Sequence, residues 1–255
     1  PPVPGVRVAT GMAEIRYRAR EDVMAMAFPA GTTVAGVFTK NRCPGAPVEW
    51  SRAALKGGKA RGLVVTSGNS NVFTGKAGRE TCTKTAEAAA KILGCKPKEV
   101  FLASTGVIGE RLPTEKLVGA LPKVFDAVTE AGFAAAARAI MTTDTFPKAS
   151  VRTAKIGDAT VTVAGIAKGS GMIAPDMATM LSFLATDAKV PAGALQALLK
   201  KGCDKSFNCV TVDSDTSTSD TVLLFATGVA KHPRVPAEGG PVLKDFARAV
   251  NEVLM

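Results

Sequence analysis

Histidine is almost absent: one residue, His232, in 255. A Ser-His-Asp or Cys-His mechanism needs that ring as its base. His232 lies in Lys231-His-Pro-Arg-Val-Pro236, a polar proline-rich stretch that reads as a surface loop. Five cysteines, an odd number with no C-x-x-C pair, read as buried or idle thiols, and with one histidine they exclude a zinc site of the usual kind. Trp and Tyr occur once each, which leaves little for stacking nucleic-acid bases. The net charge of +10 is spread along the chain, at Lys56 and Lys59, Lys96 and Lys98, Lys200 and Lys201. It predicts a solvated basic surface that draws in anionic metabolites, not a nucleic-acid partner. No apolar run reaches the ~18 residues of a membrane span. Pro1-Pro-Val-Pro-Gly5 has neither the charged start nor the apolar stretch of a signal peptide, so no membrane partner and a cytoplasmic setting are expected.

Phosphate and calcium loops are missing too. Gly68 to Lys76 lacks both the glycine spacing and the Ser/Thr of a Walker loop. The acidic run 213–220 has Thr218 and Leu224 where a calcium loop needs glycine and glutamate, and it reads as a capped turn between strands.

Short apolar runs alternate with helical stretches, an α/β pattern. Residues 62–66, 100–104, 180–185, 207–212 and 221–226 read as strands, and 151–165 as a hairpin turning at Gly157-Asp158. Helices are expected over 81–93 with Gly94 as stop, from Pro113 with Thr114 as cap, over 131–141, over 191–201 ended by Gly202, and from Pro241 onward.

One segment holds the chemistry: Lys168-Gly-Ser-Gly-Met-Ile-Ala-Pro-Asp-Met-Ala-Thr-Met-Leu-Ser-Phe-Leu-Ala-Thr-Asp187. A glycine-rich turn leads through Pro175 and Ala178-Thr179 into a strand, so Thr179 offers a hydroxyl at a strand mouth without a histidine base. Cutting the bond before a threonine frees an α-amine within reach of its own Oγ. Such an amine titrates near ~7.7–8.0 and can take the hydroxyl proton. An oxyanion site also needs donors. Ser104-Thr-Gly-Val-Ile-Gly109, at a strand end, could present them, and a plain strand-to-helix turn explains it equally well.

The 168–187 segment closely resembles the self-cleavage segment of the ornithine acetyltransferases, the glutamate N-acetyltransferases of arginine biosynthesis. Thr66-Ser-Gly-Asn-Ser-Asn71, Ser104 to Gly109, Met141-Thr-Thr-Asp-Thr-Phe-Pro-Lys148 and Ser206-Phe-Asn-Cys-Val-Thr-Val-Asp-Ser-Asp-Thr-Ser-Thr-Ser-Asp220 resemble that family's motifs in the same order. The resemblance implies layered sheets and helices of the ornithine acetyltransferase and aminopeptidase-like type. It implies cleavage between Ala178 and Thr179 into an α chain, 1–178, and the start of a β chain, 179–255, the two assembling as α2β2. Thr179 would be the nucleophile that carries acetyl from N-acetylornithine to glutamate. Thr105 and Gly106 would form the oxyanion hole, and Thr145 and Lys168 would bind substrate with Thr179. No metal or cofactor is required, and acetyl-CoA serves some family members as a second donor. Family members run on well past Met255, through further substrate-binding residues. The competing enzyme class is a self-processing amidohydrolase or aminopeptidase that gives the acyl group to water; a non-catalytic basic binding protein is the alternative outside enzymes.

Overall fold

The computed structural model describes residues 2–172, 180–213 and 215–255. Its core is two sheets packed face to face. The first has the order β1 (Arg7–Gly11), β2 (Val23–Ala27), β4 (Gly62–Asn69), β5 (Val100–Val107). The second has the order β3 (Thr33–Phe38), β9 (Thr221–Ala226), β8 (Leu181–Thr186), β7 (Ala159–Lys168), β6 (Lys148–Ile156). The pairs β4–β5 and β8–β9 are parallel, and the other pairings are antiparallel.

Side-chain alternation creates three apolar layers. Leu63, Val65, Phe101 and Ala103 face Phe183, Ala185, Leu223 and Phe225 between the sheets. The intervening Val64, Val100 and Leu102 turn outward against α2 (Gly75–Leu93) and α3 (Thr114–Asp126). Leu184, Val222 and Leu224 turn the other way, against α5 (Ala192–Cys203) and α6 (Lys244–Leu254). Strands buried on both faces lose polar alternation, which is why β4, β5, β8 and β9 read as apolar runs. In the central layer Phe225 stacks on Phe28 at 4.4 Å between centroids and meets Phe101 edge-on at 6.0 Å. Each such ring stabilises the fold by about 1.5–3 kcal/mol through burial.

β5 would be an open sheet edge, but α1 (Ala46–Leu55) covers it. Ser51 Oγ donates to the Leu102 carbonyl at 2.7 Å and accepts its N–H at 2.9 Å. Trp50, the sole tryptophan, donates its indole N–H to the Val100 carbonyl at 2.9 Å. The remaining short helix, α4 (Phe133–Ala139), packs against β1.

Most sequence expectations hold, with boundaries moved. α2 begins at Gly75, six residues before the expected start, and ends at Gly94 in the left-handed region at φ 61°. The hairpin turns at Gly157, φ 60°. Three expectations fail for local reasons. Residues 207–212 form no strand: 207–209 are one 3-10 turn closed by Cys209 N–H on the Ser206 carbonyl, and half-buried Phe207 packs beside the α5–α6 core. Thr114 caps nothing; α3 starts at it, and its hydroxyl lies 2.7 Å from that of Thr81 on α2. Gly202 does not stop α5, which runs to Cys203. A Cβ at Gly202 would sit 2.4 Å from Leu254 Cδ1, so this glycine lets α6 approach.

Candidate active site

The second sheet aligns four residues in one row across its strands: Lys168, Leu181, Thr221 and Phe38. Lys168 ends β7 and Leu181 opens β8, so the 169–180 connection leaves and re-enters the sheet beside this row. Ala178 and Thr179, the expected cleavage site and nucleophile, lie in that connection but outside the described residues. What borders them is described.

Thr105 and Gly106 are at the end of β5. Gly106 adopts φ 131°, and a Cβ there would lie 2.3 Å from the Gly68 carbonyl carbon of β4. No side chain fits, so glycine is required for this close strand approach. Beneath it, Thr66 Oγ1 donates to Ser104 Oγ at 2.8 Å, and buried Thr105 presents its hydroxyl toward the second sheet.

Lys168 crosses between the sheets. Its side chain is buried, and Nζ donates to Thr105 Oγ1 at 2.9 Å. With that oxygen accepting from the ammonium, the Thr105 proton is free to be given elsewhere. Burial pulls the Lys168 pKa down, opposed by the negative fields of Asp144 and Asp220, while Lys148 adds to the lowering.

Asp144 escaped the sequence reading. Its carboxylate, with no exposed side-chain surface, accepts from Lys148 Nζ at 2.8 Å, Gly169 N–H at 2.7 Å and Thr142 N–H at 3.2 Å. Burial would raise its pKa, but these hydrogen bonds and Lys168 outweigh burial and hold it below the usual value. Asp144 therefore ties the 141–147 loop to the Lys168–Gly169 end of β7. Thr145, the expected substrate-binding threonine, is exposed in that loop, next to Asp144. Asp220 also escaped notice, because it ends the run read as a turn. In the structure residues 213, 215 and 216 of that run are exposed, whereas 217–220 are buried and the Thr218 carbonyl accepts the Gly45 N–H at 2.8 Å. An acid immediately before an apolar strand was the available signal.

His232 belongs to none of this. Its Nε2 accepts the Lys189 N–H at 2.8 Å and Nδ1 lies 2.8 Å from the Pro233 carbonyl, so the ring fastens a surface turn. Cys82 and Cys203 are buried and free, and burial pushes both thiols up to about 12, which makes them inert. No helix among the described residues is long and apolar enough to cross a membrane.

Two sheets between helix layers define an α/β sandwich protein, with a hydroxyl, a strand-end glycine and a buried lysine gathered at one end. The PH0078 protein of Pyrococcus horikoshii shares the fold over 99% of this chain, TM-score 0.54 at 13% identity. The chain belongs to the ArgJ family, which it matches over residues 7–255. It is 57% identical to the arginine biosynthesis bifunctional protein ArgJ of Bradyrhizobium diazoefficiens and 55% identical to that of Gluconobacter oxydans, across 100% and 99% of its length. It spans 62% and 60% of those relatives' own length. A solved ornithine acetyltransferase of Mycobacterium tuberculosis, complexed with ornithine, is similar over 70% of this chain and 94% of its own, at 34% identity and TM-score 0.61.

Proposed function

We propose that the protein transfers acetyl from N-acetylornithine to glutamate in arginine biosynthesis, through an acetyl-Thr179 intermediate formed after cleavage between Ala178 and Thr179. The observation that carries this reading is the 2.9 Å contact from Lys168 Nζ to Thr105 Oγ1, beside the strand row that borders the 169–180 connection. It leaves the Thr105 proton to be donated to an oxyanion, with the Gly106 N–H as second donor. On this reading the same ammonium pairs with a substrate carboxylate. Exposed Thr145 is the further substrate contact.

In the reaction Thr179 Oγ bonds to the acetyl carbon, and its proton moves to the α-amine of Thr179. The carbon–nitrogen bond of N-acetylornithine breaks, and that proton leaves on the ornithine nitrogen. The glutamate amine then bonds to the acetyl carbon and loses a proton to the α-amine, the ester bond to Thr179 Oγ breaks, and the α-amine returns that proton to Oγ, restoring the hydroxyl and releasing N-acetylglutamate. No metal or cofactor enters. Acetyl-CoA is a second donor on this reading, in keeping with the relatives' description as bifunctional.

The sheet order supports association of the two pieces. β8 and β9 would belong to the second piece, yet they lie between β7 and β3 of the first. Separating the pieces would break two strand pairings, so they stay together as one αβ unit, two units making α2β2.

Mass spectrometry and acetyl-transfer assays on protein expressed from the whole gene test the reading. Two fragments meeting at 178/179 and N-acetylglutamate formed from N-acetylornithine are expected, both lost in Thr179→Ala. Acetate release without glutamate and without N-acetylglutamate would replace the transferase with a hydrolase. An intact, active single polypeptide would remove the mechanism.

A further inference from the structure

A sheet edge carries N–H and C=O groups with no strand to pair them, and folded proteins cover or blunt such edges. Two sheets have four edges, and three of them are covered from within the chain. α1 covers β5 through Ser51. Val8 of β1 exchanges both backbone bonds with Thr129, at 2.7 and 3.0 Å. Gly36 of β3 exchanges both of its own with the Gln196 side-chain amide of α5, at 2.9 Å each. The fourth edge is β6.

The hairpin turn fixes which groups of β6 face outward. Ile156 pairs with Ala159 across Gly157-Asp158, so the even-numbered residues of β6 bond to β7 and the odd-numbered ones turn N–H and C=O away from it. Lys155 is closed off, because its N–H donates to Asp245 Oδ2 at 2.7 Å. Ala149, Val151 and Thr153 are not. Among the described residues their N–H groups have no partner, and of their carbonyls only that of Val151 accepts, from Arg152 Nη1 at 2.7 Å. Cations on an edge ordinarily repel an incoming strand. Here they are neutralised: Lys148 meets Asp144 at 2.8 Å and Arg152 meets Glu252 at 3.1 Å. The adjoining flank of α6 is balanced too, since Arg248 bonds both Asp245 and Glu252. That flank, with Ala247 and exposed Met255, borders an open groove of about 580 Å³ beside Arg152.

We propose that a second copy of this protein docks on this edge, β6 pairing antiparallel with the partner's β6 about a two-fold axis at Val151. In that register Val151 exchanges both backbone bonds with the partner's Val151, and Ala149 exchanges both with the partner's Thr153. Every free edge group is then used. Arg152 faces the partner's Ser150 and Lys148 faces the partner's Ala154, so no like charges stand opposed. Moving the axis to Arg152 would oppose the two arginines and meet the blocked Lys155 N–H. The five-stranded sheets of the two copies become one continuous sheet, and the α6 flanks meet across the axis over the groove. One patch serves both copies, the isologous arrangement of most dimers. This takes from the proposed function only the association of two units, and rests on neither the cleavage nor the transfer.

The test uses protein from the whole gene. Sedimentation equilibrium compares wild type, Thr179→Ala and Val151→Pro. The last change removes an N–H that β6 does not use within one copy, at an edge position where proline is tolerated. Wild type and Thr179→Ala are expected to sediment as two units. In Val151→Pro the dissociation constant is expected to rise about 100-fold, for two lost hydrogen bonds each worth roughly tenfold. Oxidation of Val151→Cys, with exposed Cys43 and Cys209 changed to serine, reads the register. Facing Cα atoms of a bonded antiparallel pair stand about 5.5 Å apart, within disulfide reach, so a disulfide joining position 151 of the two copies is expected.

A folded Val151→Pro that keeps the wild-type dissociation constant overturns the proposal, as does Val151→Cys without that disulfide. Wild type sedimenting as one unit overturns it as well. If Val151→Pro does not fold, the disulfide decides. Wild type that is neither cleaved nor active, yet paired through position 151, defeats the acetyl-transfer reading and leaves this one standing.

Discussion

At the ends of β4 and β5 the site consists of neutral groups fixed by backbone geometry. Thr66 and Ser104 bond to each other, and Gly106 lies so close to Gly68 that no side chain can enter. At the ends of β7, β8 and β9 it consists of buried charges held by one another and by backbone N–H groups: Lys168, Asp220, and Asp144 behind them. The first bank supplies fixed dipoles, which need no rearrangement when charge develops. The second can change protonation state, because burial has moved its ionisable groups from their ordinary values. One contact, Lys168 to Thr105, joins the two.

Damage to the neutral bank is expected to cost most. Gly106→Ala forces a Cβ into the Gly68 backbone at φ 131°. A loss of about 2–4 kcal/mol in urea denaturation is expected, with acetyl transfer abolished. A stable, active Gly106→Ala would show that this bank is not rigid.

Cutting the joint comes next. Lys168→Met keeps the bulk but removes the donor to Thr105 and the cation facing Asp144 and Asp220. A fall of roughly 100-fold in kcat/KM is expected, as for loss of one buried charged partner. Steady-state kinetics with N-acetylornithine would read it; a change within twofold would mean the banks work independently.

The charged bank alone gives a pH signature in stability. The Asp220 pKa is raised in the folded protein, to about 7. Between roughly pH 4 and 7 the unfolded chain has released this proton and the folded one has kept it, so this group lowers stability as pH rises. Relative to wild type, Asp220→Asn is therefore expected to gain stability across that window. Parallel denaturation midpoints from pH 4 to 7 would place the ionisation elsewhere.

Asp144→Asn sharpens the comparison at its margin. It loses the ion pair with Lys148 but can still accept from Gly169. A several-fold rise in KM with about 1–2 kcal/mol of stability lost is expected. An effect on kcat alone would put Asp144 nearer the chemistry. The control outside both banks is His232→Ala. It removes the exposed ring contacts to the Lys189 N–H and the Pro233 carbonyl and is expected to cost at most ~1 kcal/mol in thermal unfolding, with unchanged transfer.

How much was legible follows from range. Apolar runs such as Leu63–Val65 and Phe101–Ala103 betray β4 and β5, because strands buried on both faces lose their polar alternation. Gly94 and Gly157 betray a helix end and a turn, because the left-handed conformation is local. The stretch 207–212 misled because Val210 and Val212 are apolar yet exposed. The site residues Thr105, Gly106, Lys168 and Thr145 came from motif resemblance, since no local pattern separates Lys168 from a surface lysine. Asp144 and Asp220 went unread, because what ties each to the site is a partner distant in sequence: Gly169 for Asp144, beside its local Lys148 and Thr142 contacts, and Met180 for Asp220.

The sequence by itself determined the apolar layers, the principal turns, the scarcity of histidine and the segment that carries Ala178-Thr179. These are properties of composition and of neighbours a few residues apart. Only the tertiary structure decided that Lys168 meets Thr105 across two sheets, and that the Asp220 carboxyl is buried against the Met180 amide. Burial and charge proximity, which set how these groups ionise, arise when the strand ends converge.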